Sequence, residues 1–305
     1  APVLVVFFRL LQGFALGGEV GPTTAFLMEA APTRQRALYV SLQNATQYFA
    51  VLCVGIVGAV LGSVLPPETF GAWGWRIAML LGAMVVPFAY AMRRRLPETL
   101  HAQADAGATQ PPLRVAGLAV LMIAGMTISS YTLNYIPTYV QHTLGGSPQL
   151  ASIVTILGGI AAVIGALIGG RLSDQIGRKP VMVAAAAGLL VLSVPCFLAM
   201  RIAPTLPVIG TAAACLCFLI GLGPPALLTN ITESFPVTLR SGAVGFLYAA
   251  VVAVFGGSTQ YIVTWLIATM NSPLAPAWYV TGAMAVSTLA MLLARETAPV
   301  KTHDR

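Results

Sequence analysis

Glu29-Ala-Ala-Pro32-Thr-Arg-Gln-Arg36 and Glu233-Ser-Phe-Pro236-Val-Thr-Leu-Arg240 stand 204 residues apart in a chain of 305, and each closes one apolar run and opens the next. The same offset aligns Phe14 with Phe218 and Gly17 with Gly221, so the repeat reaches back into the preceding runs. Weak internal symmetry of this kind marks a bundle of membrane helices built by duplication. Composition agrees with it: 57% of residues are hydrophobic and 8% charged, where a soluble domain carries about 25% charged residues. The mean hydropathy is +0.85. The net charge of +7 does not point to nucleic acid, because the cations lie in short loops between apolar runs and form no stripe.

Runs long enough to cross a bilayer fall near 2–29, 38–64, 76–92, 115–140, 150–170, 181–200, 207–230, 241–268 and 277–294. An all-α polytopic membrane protein with nine spans is expected. Alternate loops then hold thirteen cations on one side, from Arg34 to Arg305, against Arg76 and Arg201 on the other. By the positive-inside rule the thirteen face the cytoplasm, which places the C-terminus inside. The one long inner loop contains His101, Asp105, Gly107 and Pro111-Pro112, which is linker chemistry. The expected organisation is therefore a partial N-terminal half over 1–92, a linker over 93–114 and a six-span C-terminal half over 115–305. The repeat leaves the first three of those six without counterparts, so roughly 90 further residues are expected ahead of Ala1.

Gly170-Arg-Leu-Ser-Asp174-Gln-Ile-Gly177-Arg178-Lys179-Pro180 resembles the inner-loop signature of the major facilitator superfamily. Its chemistry is legible on its own: Gly177 permits a tight turn, Asp174 can face a helix N-terminus, and the cations can meet carboxylates. Gln175 departs from the signature, which usually has a cation there. The resemblance implies the twelve-helix fold with nine spans present, the missing ones being spans 1 to 3. It also implies a cytoplasmic gate of Glu29, Arg36, Asp174, Gly177, Arg178, Lys179, Glu233 and Arg240. A merely basic loop is the plainer alternative.

The first span reads Arg9-Leu-Leu-Gln12-Gly13-Phe-Ala-Leu-Gly17-Gly18-Glu19-Val-Gly21. A cation and a carboxylate inside an apolar run are expensive and functional by default. On a helical wheel Gln12, Glu19 and Thr23 lie within roughly 80° of Arg9, and Gly13, Gly17 and Gly21 form an adjacent ridge that admits a neighbouring backbone. Gly-Gly-Glu is similar to the metabolite:proton symporter branch, which implies proton coupling through Glu19 and Arg9. A structural role for the two residues, with partners in the absent spans, is the other reading.

Gln43, Asn44 and Gln47 offer hydrogen bonds to a substrate or to a neighbouring helix. The Gly-Pro-x-x-Gly-Gly stretch of antiporters in this superfamily is absent from that run, which disfavours export. Thr127, Tyr131, Asn134 and Tyr135 recur at helical steps in a run that resembles span 7. Tyr131, Asn134 and Tyr135 are expected at the cavity, and Tyr139 in an interfacial tyrosine belt. Tyr248 and the polar break Phe255-Gly-Gly-Ser-Thr-Gln260 suggest a substrate wall. The phrase through Thr264-Trp265-Leu266 resembles span 11 of the citrate and tricarballylate proton symporters.

The substrate-binding set is thus Arg9, Gln12, Gln43, Asn44, Gln47, Tyr131, Asn134, Tyr135, Tyr248 and Gln260. The function implied is proton-coupled uptake of a small carboxylate, with citrate or a related tricarboxylate the resemblance's own suggestion. A symporter for a zwitterion such as betaine or proline is one alternative, and a transport-inactive fragment is another. No nucleophile with a histidine base, metal spacing or phosphate loop occurs, so no enzyme, metal or cofactor is expected. Cys53, Cys196, Cys215 and Cys217 all lie in apolar runs and read as packing residues. The expected partners are the lipid bilayer, a proton and the small-molecule carboxylate, with no nucleic acid, and the expected form is a monomer in a bacterial inner membrane.

Overall fold

The computed structural model describes residue 15 and residues 19–93, 113–236 and 240–302. Arg9, Gln12, Gly13 and Gly17 lie outside these, as does the 94–112 part of the expected linker. The described residues form helices and turns with no strand among them. In lipid a chain must satisfy its backbone within each segment, and long apolar runs do so as helices.

Helix α1 covers 19–30 and α2 runs over Arg36–Val64. The third span, α3, covers Phe70–Ala91 and opens on a π turn at Phe70–Gly74. Next come α4 (Leu113–His142, broken at Tyr135), α5 (Pro148–Ile176), α6 (Arg178–Ile202), α7 (Leu206–Ser234), α8 (Arg240–Met270) and α9 (Ala275–Leu293). A short α10, Pro299–Thr302, follows. Among the described residues eight helices are long and apolar enough to cross a membrane. Most outrun the apolar stretches that announce them. At 1.5 Å per residue a 29-residue helix is about 43 Å long, so its ends reach through the headgroup layer where cations are solvated.

Local chemistry sets the ends. Ser147 accepts from the Leu150 amide at 3.2 Å with Pro148 at the first helical position, which starts α5. Gly177 at φ 111° divides α5 from α6 in a conformation that L side chains rarely adopt. Within α8, residues Val252–Gly256 form a π turn. The polar break read from the sequence is therefore a widened helical turn just ahead of Gly257.

The core lies mainly in α4 to α9, with Met28 of α1 and Val40 of α2 joining it. The buried face of α5 is built of small residues, among them Gly158, Ala162, Gly165, Ala166, Gly169 and Ser173. These let α2 and α7 pack closely on its two sides, which is how helices associate where lipid removes the hydrophobic drive. Tyr139 departs from the expected interfacial belt. It is fully buried, edge-on to Phe197 at 5.3 Å between ring centroids, because α6 covers that face of α4. The N-terminal helices meet the C-terminal bundle through α2 against α5 and α7, and through α1 against α8.

Candidate functional site

A cavity of about 250 Å³ lies between α2 on one side and α4, α7 and α8 on the other, with Val20 of α1 at its edge. Its polar wall consists of Asn44, Gln47 and Tyr48 from α2, Thr127, Ser130, Tyr131 and Asn134 from α4, and Tyr248 from α8. Asn44 is 8 residues and Val51 15 residues into α2, about 12 and 22 Å along it. Along α2 the cavity therefore extends from the half nearer the helix start to about the helix midpoint.

Of the substrate-binding residues read from sequence, the structure brings together Asn44, Gln47, Tyr131, Asn134 and Tyr248. Gln43, Tyr135 and Gln260 do not line this cavity. Gln43 accepts from the Thr24 hydroxyl at 2.9 Å and ties α2 to α1, so it acts as helix glue. Gln260 lies beyond the π turn and is exposed. Tyr135 sits at the break in α4, where the chain bends around Pro137. The two cues read separately, the tyrosine ladder and the polar break, meet in space: a Cβ at Gly256 would lie 2.8 Å from the Tyr131 ring.

Tyr48 and Ser130 are the polar cavity residues that sequence reading missed, and Tyr48 is the more telling of the two. Its hydroxyl donates to the Ile220 carbonyl of α7 at 3.1 Å. In an unbroken helix that carbonyl would accept from the amide of residue 224, but Pro224 has none. The proline pair thus supplies an acceptor inside the membrane. Pro224 and Pro225 were the available signal, since each frees the carbonyl four residues before it.

A second constellation sits at the end of the bundle that carries the basic loops. Asp174 at the end of α5 accepts from the amides of Ala37 at 3.1 Å and Leu38 at 2.8 Å, capping the start of α2. It also pairs with Arg178 at 2.5 Å. Arg178 is fully buried and holds Glu233 of α7 at 3.3 Å. Arg36 reaches Glu233 from α2 at 3.9 Å. Two guanidiniums, Arg178 and Arg36, thus balance two carboxylates, Asp174 and Glu233, and removal of one partner from such a buried set costs about 3–5 kcal/mol. Lys179 donates to the Leu292 and Ala294 carbonyls at the end of α9. Arg240 donates to the Phe235 carbonyl, and the charges of Arg36, Glu233 and Glu29 act on it. Glu29 is exposed.

Glu296 was also missed. Its carboxylate accepts from the amides of Arg178 at 2.9 Å, Lys179 at 3.0 Å, Thr297 at 3.0 Å and Ala298 at 2.9 Å. It caps α6 as Asp174 caps α2, but within the C-terminal bundle. At the same end, a Cβ on Gly21 of α1 would lie 2.5 Å from the Gly245 Cα of α8. That contact fulfils for Gly21 the close approach expected of the glycine ridge. Among the described residues no cluster of His, Cys, Asp and Glu could hold a metal ion, and the four cysteines are free thiols.

Residues 117–305 match the Major Facilitator Superfamily, and residues 1–110 match the Sugar (and other) transporter family. The chain is 31% identical to a citrate-proton symporter of Klebsiella pneumoniae over 300 residues, covering 95% of this chain and 68% of that protein. It is 31% identical to the alpha-ketoglutarate permease of Escherichia coli over 307 residues, 96% of this chain and 69% of the permease. A putative proline/betaine transporter of Staphylococcus aureus is 27% identical, with 96% and 65% covered. The chain thus spans about two thirds of the length of these relatives. The proton:xylose symporter XylE superposes with a TM-score of 0.62 at 18% identity, over 92% of this chain and 68% of that one, which is a likeness of fold.

Proposed function

The chain belongs to the major facilitator superfamily, and on that premise we propose that it acts as a proton-coupled symporter that takes up a small carboxylate by alternating access. One observation carries this reading: a polar cavity alongside α2 lies between two groups of helices that close on each other at the basic end. Rocking of one group against the other would break the closure and open the cavity to that side. The basic end is then the cytoplasmic face and the gate is the Asp174, Arg178, Glu233 and Arg36 set, by the excess of cations there.

The parts played follow from the residues. Glu19, the exposed first residue of the described α1, takes the coupling proton, and Arg9, ten residues earlier in the same apolar run of sequence, attracts the anion. Asn44, Gln47, Tyr48, Tyr131, Asn134 and Tyr248 supply uncharged donors and acceptors that orient the substrate. Relatives named for citrate and alpha-ketoglutarate favour a di- or tricarboxylate. A second reading, uptake of a zwitterion, is favoured by the cavity wall itself, which among the described residues holds no cation, and by the proline/betaine relative.

Uptake of labelled citrate, alpha-ketoglutarate and betaine into proteoliposomes under an imposed pH gradient tests the proposal. Gradient-driven accumulation of a carboxylate is the expected result. Accumulation of betaine alone would install the second reading, and accumulation of none of the three would remove symport.

A further inference from the structure

A larger cavity, about 510 Å³, opens at the basic end inside the C-terminal bundle, between the start of α4, the end of α7 and the segment after α9. It is separate from the central cavity. Two arginines line it, Arg114 and Arg295, both exposed. Among the described residues neither has a salt bridge or side-chain hydrogen bond, whereas Arg36, Arg178, Lys179 and Arg240 at the same end are all engaged. One carboxylate, Glu296, also lines the cavity, but its two oxygens accept from four backbone amides. The wall therefore presents unspent positive charge.

Its remaining polar groups are mainly acceptors. Asn230 is almost fully buried, and its amide nitrogen is committed to the Arg295 carbonyl at 2.9 Å and the Thr297 hydroxyl at 3.1 Å. Ser234 donates to the Asn230 carbonyl at 2.7 Å, which leaves its oxygen able only to accept. A ligand that suits both features is an anion carrying hydroxyl donors of its own. The flanks are apolar: Leu113, beside Arg114, is 85% exposed, and Leu293, two residues before Arg295, is 55% exposed.

We propose that Arg114 and Arg295 form a binding site for a glycerol phosphate group, in which the two guanidiniums fork onto phosphate oxygens and Ser234 accepts from a glycerol hydroxyl. Guanidiniums match phosphate oxygens in pairs of parallel hydrogen bonds. Basic pockets between membrane helices take anionic headgroups in this way. The exposed leucines place acyl chains beside the headgroup, so the phosphate comes from phosphatidylglycerol; free glycerol 3-phosphate shares the chemistry and is the other source.

The test uses the full chain purified in detergent and native mass spectrometry with phosphatidylglycerol or phosphatidylcholine added at equal concentration, with equilibrium dialysis against glycerol 3-phosphate in parallel. Retention of phosphatidylglycerol should exceed that of phosphatidylcholine, and Arg114→Gln with Arg295→Gln should cut it by roughly tenfold, as for loss of two charge-assisted contacts. Arg114→Lys with Arg295→Lys keeps the charge and should retain part of the binding, which separates the site from a folding defect. Saturable binding of glycerol 3-phosphate that the double Gln variant loses, with no preference between the lipids, would uphold the site and identify the soluble source. An equal loss in the control Arg34→Gln with Arg171→Gln, or no effect of the double Gln variant on either ligand, would overturn the proposal.

Discussion

Tyr48 donates to the Ile220 carbonyl at 3.1 Å across 172 residues of sequence, joining α2 to α7 at the acceptor that Pro224 leaves open. On the proposed rocking motion the bond links two helix groups that move apart when the cavity changes access, and would be made in one state and not in the other. A neutral hydrogen bond is worth about 1 kcal/mol net. Tyr48→Phe should shift the population by about fivefold away from the arrangement described, read as faster thiol labelling of a cysteine placed at Arg171. Pro224→Ala restores the helical donor to Ile220, and in that background Tyr48→Phe should have little further effect. Strict additivity of the two substitutions would show that the carbonyl is not what Tyr48 holds.

Asp174 caps α2 from α5 and pairs with Arg178 in the same stroke. Asp174→Asn keeps the shape but removes the charge from both the helix start and a buried guanidinium. The closure at the basic end should weaken by about 1–3 kcal/mol. Labelling at an Arg171→Cys site should rise severalfold, and the melting temperature should fall as well, because Arg178 stays buried with one carboxylate fewer. Unaltered labelling would contradict a closing role.

Glu296 makes the same kind of cap, but within one bundle, where its bonds need not break during transport. Glu296→Ala strips four amides of their acceptor. Stability should fall by about 2–3 kcal/mol, seen as a lower melting temperature in detergent, with only a minor change in labelling at position 171. The reverse pattern would make Glu296 the moving contact.

Gly21 leaves no room for a side chain, since a Cβ would lie 2.5 Å from both the Gly245 Cα and the Ser241 carbonyl oxygen. Those are backbone atoms and cannot swing aside. Gly21→Ala should wedge α1 from α8, increase access at the basic end and slow transport. Wild-type transport and labelling would mean that this contact forms in no obligatory state.

Glu19→Gln preserves side-chain shape and removes the ionisable group. Gradient-driven accumulation should be abolished while substrate exchange at equal pH partly survives. Undiminished accumulation would place proton coupling elsewhere.

Sequence alone determined the spans, because a run of apolar residues in lipid has to satisfy its own backbone, and that is a local requirement. Asp174 was legible for a related reason: a carboxylate and a glycine turn in a short loop between two helices can reach few things other than a helix start. Tyr48, Glu296 and the choice among Gln43, Asn44 and Gln47 were not. Neighbouring positions on one helix differ by about 100° in direction, so Gln43 meets Thr24 and Asn44 the cavity only once α2 has settled against α5 and α7. Glu296 finds two of its four amides 117 and 118 residues away. Such pairings depend on the rotation and register of whole helices, which small residues packing along α5 decide. Helix formation belongs to the segment, and helix orientation belongs to the assembly.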